Sequence, residues 1–134
     1  MSRYGAEASV HLAAFEPAPD EWRDEALAAR FALIRAQRGT ITVAIEKMRA
    51  DKRIGSSLQA QAVLSDDARA LCADPAFWSE ICITSGAAFG AESGAEIAEG
   101  EKCTRCWRVL PEVGANKAHP LLCERCCDAV AELG

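Results

Sequence analysis

Two cysteine pairs constrain this chain more than anything else in it. Cys103-x2-Cys106 is followed, after sixteen intervening residues, by Cys123-x2-Cys126. Two thiolates two residues apart in a tight turn can chelate one ion from the same side, and two such turns complete a tetrahedron with metal–sulfur distances of about 2.3 Å. Soft thiolates select zinc over magnesium or calcium. Four of them leave no position for water, so the pattern predicts one structural Zn2+ rather than a catalytic one. In so short a module the ion supplies much of the folding energy. Four buried free cysteines would be the plain alternative, but Lys102, Thr104, Arg105, Glu124 and Arg125 make the surroundings polar. A rubredoxin-like iron site shares the ligand set. Cys127 rivals Cys126, although the two-residue spacing favours Cys126, and His119, four residues before Cys123, could replace a thiolate.

The chain holds seven cysteines. Its first residues, Met1-Ser2-Arg3-Tyr4-Gly5-Ala6-Glu7, lack the apolar segment of a secretion signal. The expectation is a reducing, cytoplasmic location in which disulfides are a poor explanation for these residues. Cys72 and Cys82 lie in apolar settings and read as small buried hydrophobes. With 134 residues, half of them apolar, the chain can build one domain or a small domain plus an appended module. Its apolar runs are far too short to cross a membrane as a helix.

Pro17 and Pro19 keep residues 1–19 extended, and Asp20 is placed to cap the first helix. Leu27, Phe31, Ile34, Ile41, Ile45 and Met48 then recur at a spacing of three to four, with Arg38 filling the gap. The phase persists through Gly39-Thr40, which predicts one continuous helix over about residues 21–52, roughly 45–50 Å long. A hairpin of two helices breaking at Gly39 is the alternative. Gly55 is placed to take the left-handed position that ends the helix. Leu58 to Leu64 reads as a strand, Ser65 caps a short helix through about Ala73, and Asp74-Pro75 opens another. Ile81-Cys82-Ile83-Thr84 reads as a short apolar strand, Gly86 to Gly94 as a loop, and Ile97 as part of a third strand. The fold class is therefore α+β: a long helix, then a small mixed α/β unit and a C-terminal four-cysteine zinc ribbon. The expected divisions are 1–55, 56–100 and 101–134.

The net charge of −5 argues against a polyanionic partner, but its distribution does not. Residues 30–53 carry seven basic and two acidic side chains, and all the positive excess lies there. At 100° per residue, Arg35, Arg49 and Arg53 project within about 40° of one another and could line a phosphate backbone; a solvated flank is the plain alternative. Arg38, on the apolar stripe, should meet a buried acid or a ligand. Trp107 directly follows Cys106, with Arg105 and Arg108 on either side and Lys102 just before the first turn. A planar ring held beside a metal turn can stack on an unpaired base while guanidinium groups meet phosphate. Equally, Trp107 could roof the metal site as core. Four thiolates and Zn2+ sum to −2, which weakens any electrostatic case for this module alone. Phosphate-binding glycine loops, GxSxG elbows and His-Glu-x-x-His sites are all missing, so no complete active centre is visible.

Several stretches together resemble the C-terminal end of bacterial isoleucyl-tRNA synthetase. They are Ser9-Val10-His11-Leu12, Ala44-Ile45-Glu46, Lys52-Arg53-Ile54-Gly55-Ser56-Ser57-Leu58, Glu80-Ile81-Cys82-Ile83, Gly100-Glu101-Lys102-Cys103-Thr104-Arg105-Cys106-Trp107 and Leu122-Cys123-Glu124-Arg125-Cys126. Order and spacing agree over roughly residues 9–131. The finger by itself is less specific, since formamidopyrimidine-DNA glycosylases carry a similar one. The resemblance implies that the long helix ends the anticodon-binding domain, that residues of about 56–100 form a junction unit, and that the zinc module lies against the anticodon stem-loop of tRNA(Ile). It further implies that Trp107 and Arg105 touch RNA; with Arg108, Lys102, Arg35, Arg49 and Arg53 from the charge and spacing above, they make up the expected tRNA-binding set. In that family the whole enzyme, an aminoacyl-tRNA synthetase of protein biosynthesis, uses ATP to charge tRNA with isoleucine.

This chain departs from the family at Gln59, where glutamate is usual, at Gly39-Thr40, and in the additional Cys127. It also lacks the family's ATP-binding signatures and editing domain. On its own it is therefore expected to bind and position tRNA rather than to act as an enzyme. The alternatives are a structural zinc module that fastens the synthetase C-terminus without RNA contact, and a stand-alone nucleic-acid-binding zinc protein. The helix stripe predicts an exposed apolar patch along Phe31, Ile34 and Ile41, or a homodimer that covers it.

Overall fold

A computed structural model of the chain describes residues 9–12 and 14–133. The extended lead-in expected over residues 1–19 therefore falls partly outside the described residues. After a 3-10 turn at Asp20–Trp22, the chain enters α1, Glu25–Ala50. The helix is continuous through Gly39 and about 39 Å long. It starts later than expected: the cap is Asp24, whose carboxylate accepts from the Leu27 N–H at 2.8 Å, and not Asp20. Arg23, after the turn, is extended, so the earlier residues do not join the helix.

The end of α1 also differs from expectation. Lys52, at φ 58°, takes the left-handed position in place of Gly55. Arg53 N–H bonds Met48 C=O at 2.9 Å and Lys52 N–H bonds Arg49 C=O at 3.0 Å, a paired closure of the last turn. Gly55 instead donates to Gln59 Oε1 at 2.6 Å. Ser56 and Gln59 form a reciprocal capping box around the turn Ser57–Gln59, which gives the amide at position 59 a structural use. Arg53 thus lies beyond the helix, and the expectation that it shares a helix face with Arg35 and Arg49 fails.

The chain continues as β1 (Ala60–Leu64), α2 (Asp66–Leu71), α3 (Pro75–Cys82), β2 (Gly86–Phe89) and β3 (Gly94–Ile97). Ser65 and Asp74 cap the two short helices, and Pro75 opens α3. The strand expected over Ile81–Thr84 is absent. Ile81 and Cys82 finish α3, and Ile83 closes it at φ 56°. Phe77, Trp78, Ile81 and Cys82 are spaced to share one helical face, and fully buried Trp78 anchors that face with its Nε1 donating to Cys72 C=O at 2.8 Å. The segment expected to be loop, Gly86 to Gly94, supplies β2, and Ile97 ends β3, where a third strand was expected. β1 is the central strand. It pairs in parallel with β2, Gln61 opposite Gly86 through Leu64 opposite Phe89, and antiparallel with β3, Ala60 opposite Ile97 through Val63 opposite Gly94.

Ala60, Ala62 and Leu64 point from one side of β1 into the core. They meet Ile34, Ile41, Ile45 and Met48 of α1 together with Ala68, Trp78 and Cys82. Burying each large aliphatic side chain here stabilises by about 1.5–3 kcal/mol. The sheet and short helices thus cover the part of the stripe expected to be bare. Ile34 and Ile41 are buried, and of the three residues expected in the patch only Phe31 is exposed. The other large apolar side chains of α1 that are exposed are Leu27, Leu33 and Val43. No helix among the described residues is long and apolar enough to cross a membrane.

Candidate metal centre

A second, smaller core forms around sulfur. The ribbon β4 (Glu101–Lys102) and β5 (Val109–Leu110) pairs antiparallel and holds the first cysteine turn between its strands. Gly100 permits the approach: it has φ 112°, and a Cβ there would run into the backbone of Leu110 and Pro111. Cys103 N–H bonds Arg108 C=O, and Trp107 N–H bonds Cys103 C=O, both at 2.9 Å, which closes the turn. The second turn leads into α4, Glu124–Leu133. Cys123 immediately precedes this helix, and the Cys126 and Cys127 N–H groups both bond its carbonyl at 2.9 Å. Thr104 N–H to Leu121 C=O, 3.0 Å, joins the two turns.

The result brings Cys103, Cys106, Cys123 and Cys126 together with all four sulfur atoms within 4.8 Å of one another. Cys106 and Cys123 Sγ are 3.7 Å apart. A tetrahedral ion with bonds of about 2.3 Å separates its sulfurs by roughly 3.8 Å, so the cluster fits one zinc without rearrangement. Cys103, Cys123 and Cys126 are buried, with Leu110, Val113 and Leu122 packed around them. Cys103 Sγ also accepts from the Cys123 N–H at 3.4 Å. Burial works to raise the Cys103 thiol, but backbone N–H groups of Cys106, Cys123 and Arg105 outweigh it and bring the pKa down to about 6. Cys123 is pushed up to about 12, by burial first and then by the neighbouring sulfurs. Thiols this close divide so because they cannot all ionise side by side; a divalent cation is what lets all four act as thiolates. The site is closed, and one structural zinc is the cofactor this donor set takes.

Neither rival thiol nor imidazole enters the cluster. Cys127 is buried with its sulfur toward Leu122 C=O, and His119 lies outside the group. The basic residues nominated around the site are divided. Trp107 does not roof the metal site: it is 61% exposed, sits at φ 67°, and carries Lys102 Nζ 5.2 Å from its ring centroid. Arg105 turns inward to sulfur, with Nη1 3.7 Å from Cys126 Sγ. Arg108 is half-buried, and its Nη2 donates to Ser85 C=O at 2.6 Å. Arg35 is exposed on α1, while Arg49 pairs with Glu46 at 3.0 Å.

Sequence reasoning missed Ser85. This buried residue accepts from Val109 N–H at 2.7 Å, donates to Leu58 C=O, and offers its own carbonyl to Arg108, so it pins the zinc ribbon to the sheet unit. Nothing in Thr84-Ser85-Gly86 marks it in advance. Arg38 has no acidic partner among the described residues; its Nε donates to Ile81 C=O at 2.8 Å.

The fold and the site together define a four-cysteine zinc-finger protein of α+β architecture, and residues 100–129 match the family described as "Zinc finger found in FPG and IleRS". Beyond the finger, the chain is related over nearly its whole length to the C-terminal part of bacterial isoleucine–tRNA ligases. It is 43% identical over 140 residues to the isoleucine–tRNA ligase of Gluconobacter oxydans, covering 98% of this chain and 15% of that protein. It is 39% identical over 151 residues to that of Brucella abortus (99% and 16%) and 36% identical over 143 residues to that of Geobacter sulfurreducens (93% and 16%). The chain thus spans about 15% of the length of the relatives it matches.

Proposed function

We propose that this chain is a tRNA-binding region of an isoleucine–tRNA ligase, in which structural zinc shapes a surface that positions tRNA(Ile) for aminoacylation elsewhere in a longer enzyme. ATP and the chemical step belong to that longer enzyme; the closed metal site here offers no position for a reacting group. The observation that carries the reading is Trp107. A large apolar ring is held in solvent, in a backbone region that disfavours side chains, beside a rigid metal turn and with a lysine against it. Stacking on an unpaired base is a use for such a ring. Lys102 supplies charge beside it, and Arg35 and Arg53 supply more along and beyond α1; Arg49 adds less, being paired with Glu46. Arg105 and Arg108 support the reading less, because both guanidiniums already have partners within the fold.

The test is titration of zinc-loaded chain into labelled tRNA(Ile) over a series of salt concentrations. Binding that weakens with salt and is lost on chelation is expected. A second reading has its own support: the Ser85 contacts to Arg108 and Val109 make the zinc module a fastener of the chain end. No binding above background at low salt would favour that reading and overturn the first.

A further inference from the structure

Among the described residues, the hydrogen bonds between the sheet unit and the zinc finger converge on Ser85. Arg108 Nη2 donates to its carbonyl at 2.6 Å, and Val109 N–H donates to its hydroxyl oxygen at 2.7 Å. The other side of the same residue is tied to the sheet unit: its N–H bonds Ala60 C=O at 3.0 Å, and its hydroxyl donates to Leu58 C=O. Only 2% exposed, Ser85 thus spends each of its polar groups across one seam. No ion pair among the described residues crosses it. Packing along the seam is open. A cleft of about 410 Å³ lies between Ile83 and Thr84 of the sheet unit and Arg108 of the finger, and one of about 210 Å³ between Gln61, Ala98 and Leu110. Interdigitated side chains would fix the angle between two units; here the Ser85 bonds carry much of that task.

Trp107 sits next to both ties. Its N–H bonds Cys103 C=O, and the carbonyl of the next residue accepts from Cys103 N–H, both at 2.9 Å, so the backbone under the ring is rigid with the metal turn. The two residues that follow it, Arg108 and Val109, are the two that Ser85 holds. Arg108 reaches inward at a cost, because its Nε is buried with no partner. A guanidinium left on the surface of the finger would avoid that cost, so its inward placement suits an anchor better than an RNA contact.

Building on the tRNA reading of Trp107, we propose that Ser85 is a positioning residue for tRNA. Through Arg108 and Val109 it fixes the span and angle between two patches: the Trp107 ring with Lys102 on the finger, and the exposed Arg35 and Arg53 on and beyond α1. An RNA that meets both patches gains from the second contact only when the two are held at the spacing it needs, and a loose seam dilutes that gain. Ser85 itself is buried and uncharged, and it acts through the ring rather than on the RNA.

The experiment uses the full zinc-loaded chain with Ser85→Ala, Trp107→Ala, the double variant and Arg108→Met, each checked for folding by circular dichroism and for metal content. Residual dipolar couplings of the backbone amides report how α4 is oriented against α1 and β1. One alignment should fit all three elements in the parent. In Ser85→Ala and in Arg108→Met the α4 couplings should shrink or require a second alignment, with zinc content unchanged. Ser85→Ala should also weaken binding to labelled tRNA(Ile) by roughly tenfold, part of the roughly 10²–10⁴ that linked contacts gain over single ones. In the Trp107→Ala background the same change should cost little more, because the residue acts through the ring. A residue needed only for stability would leave the alignment whole and cost the same in both backgrounds. An unaltered alignment in both variants overturns the proposal, as does Ser85→Ala binding at parent affinity, or an equal loss in the two backgrounds. If Ser85→Ala does not fold, an unaltered alignment in Arg108→Met overturns it alone. A parent that binds no tRNA overturns the tRNA reading and this role with it, and the parent titration tells that failure from the others.

Discussion

Arg38 donates from Nε to the main-chain carbonyl of Ile81 at 2.8 Å. Ile81 is in the last turn of α3, where unpaired carbonyls gather the negative end of the helix dipole. Arg30, eight residues earlier on α1, does the same for α2, with Nη2 on Leu71 C=O at 2.8 Å. The long helix thus caps both short helices from one side, and the arginine on its apolar stripe is part of how the two layers meet. Arg38→Met keeps much of the length of the side chain and removes the donor. It should destabilise the fold by about 1.5–3 kcal/mol, the range for a lost hydrogen bond to a charged group. Chemical denaturation against the parent measures this, and an unchanged midpoint would remove the capping role.

Gly39 is exposed in the middle of α1, and a Cβ added there meets nothing within 4 Å. The residue therefore carries the entropic disadvantage of glycine without a packing reason for it. Gly39→Ala should stabilise the chain by about 0.5–1 kcal/mol. A lower melting temperature would mean that the helix needs freedom at this point.

Burial pushes the Cys82 thiol above its ordinary value of 9.0, with Arg38 pulling the other way. A thiol whose folded pKa is raised holds its proton better folded than unfolded. Its contribution to stability is complete below the unfolded value and is lost as pH rises through the folded one. Cys82→Ala removes that limb, so the variant should lose less stability than the parent as pH rises above the thiol's ordinary value of 9.0. Parallel loss in both chains would show that the thiol is not responsible.

Zinc removal should act unequally on the two cores. Among the described residues the sulfur cluster has Leu110, Val113 and Leu122 packed on it, whereas the core of Ile34, Ile41, Leu64 and Trp78 is aliphatic and aromatic. Chelation should abolish hydrogen-exchange protection in α4 and the β4–β5 ribbon while α1 and β1 keep theirs. Loss of both together would mean that the Ser85 contacts make the chain one cooperative unit.

What could be read in advance divides along physical lines. The cysteine turns were legible because metal geometry acts over a few residues and leaves a fixed spacing in the sequence. The long helix was legible because Ile34 to Met48 repeat its period. β2 was not: Gly86-Ala87-Ala88-Phe89 has weak strand propensity, and it is a strand because β1 lies alongside it. Ile81 and Cys82 misled because a short apolar run fits either element until Trp78 fixes which face is buried. Arg38 could be recognised as anomalous, but its partner is a backbone carbonyl, which no side-chain pattern announces.

Trp107 separates function from folding most sharply. At φ 67° any side chain with a Cβ costs about 1–2 kcal/mol, and glycine would relieve it. Against this stands the contact with Lys102, which at an exposed ring contributes about 0.5–1 kcal/mol. The two effects nearly offset, so Trp107→Gly should leave folding stability within about 1 kcal/mol of the parent and zinc content unchanged. If the ring stacks on a base, the same change should weaken tRNA(Ile) binding by about 1–3 kcal/mol, a loss of roughly five- to 150-fold. Thermal unfolding, metal analysis and a tRNA titration on one preparation decide it. A variant that binds as well as the parent would end the stacking role, and one that sheds zinc would place the ring in the architecture of the finger after all.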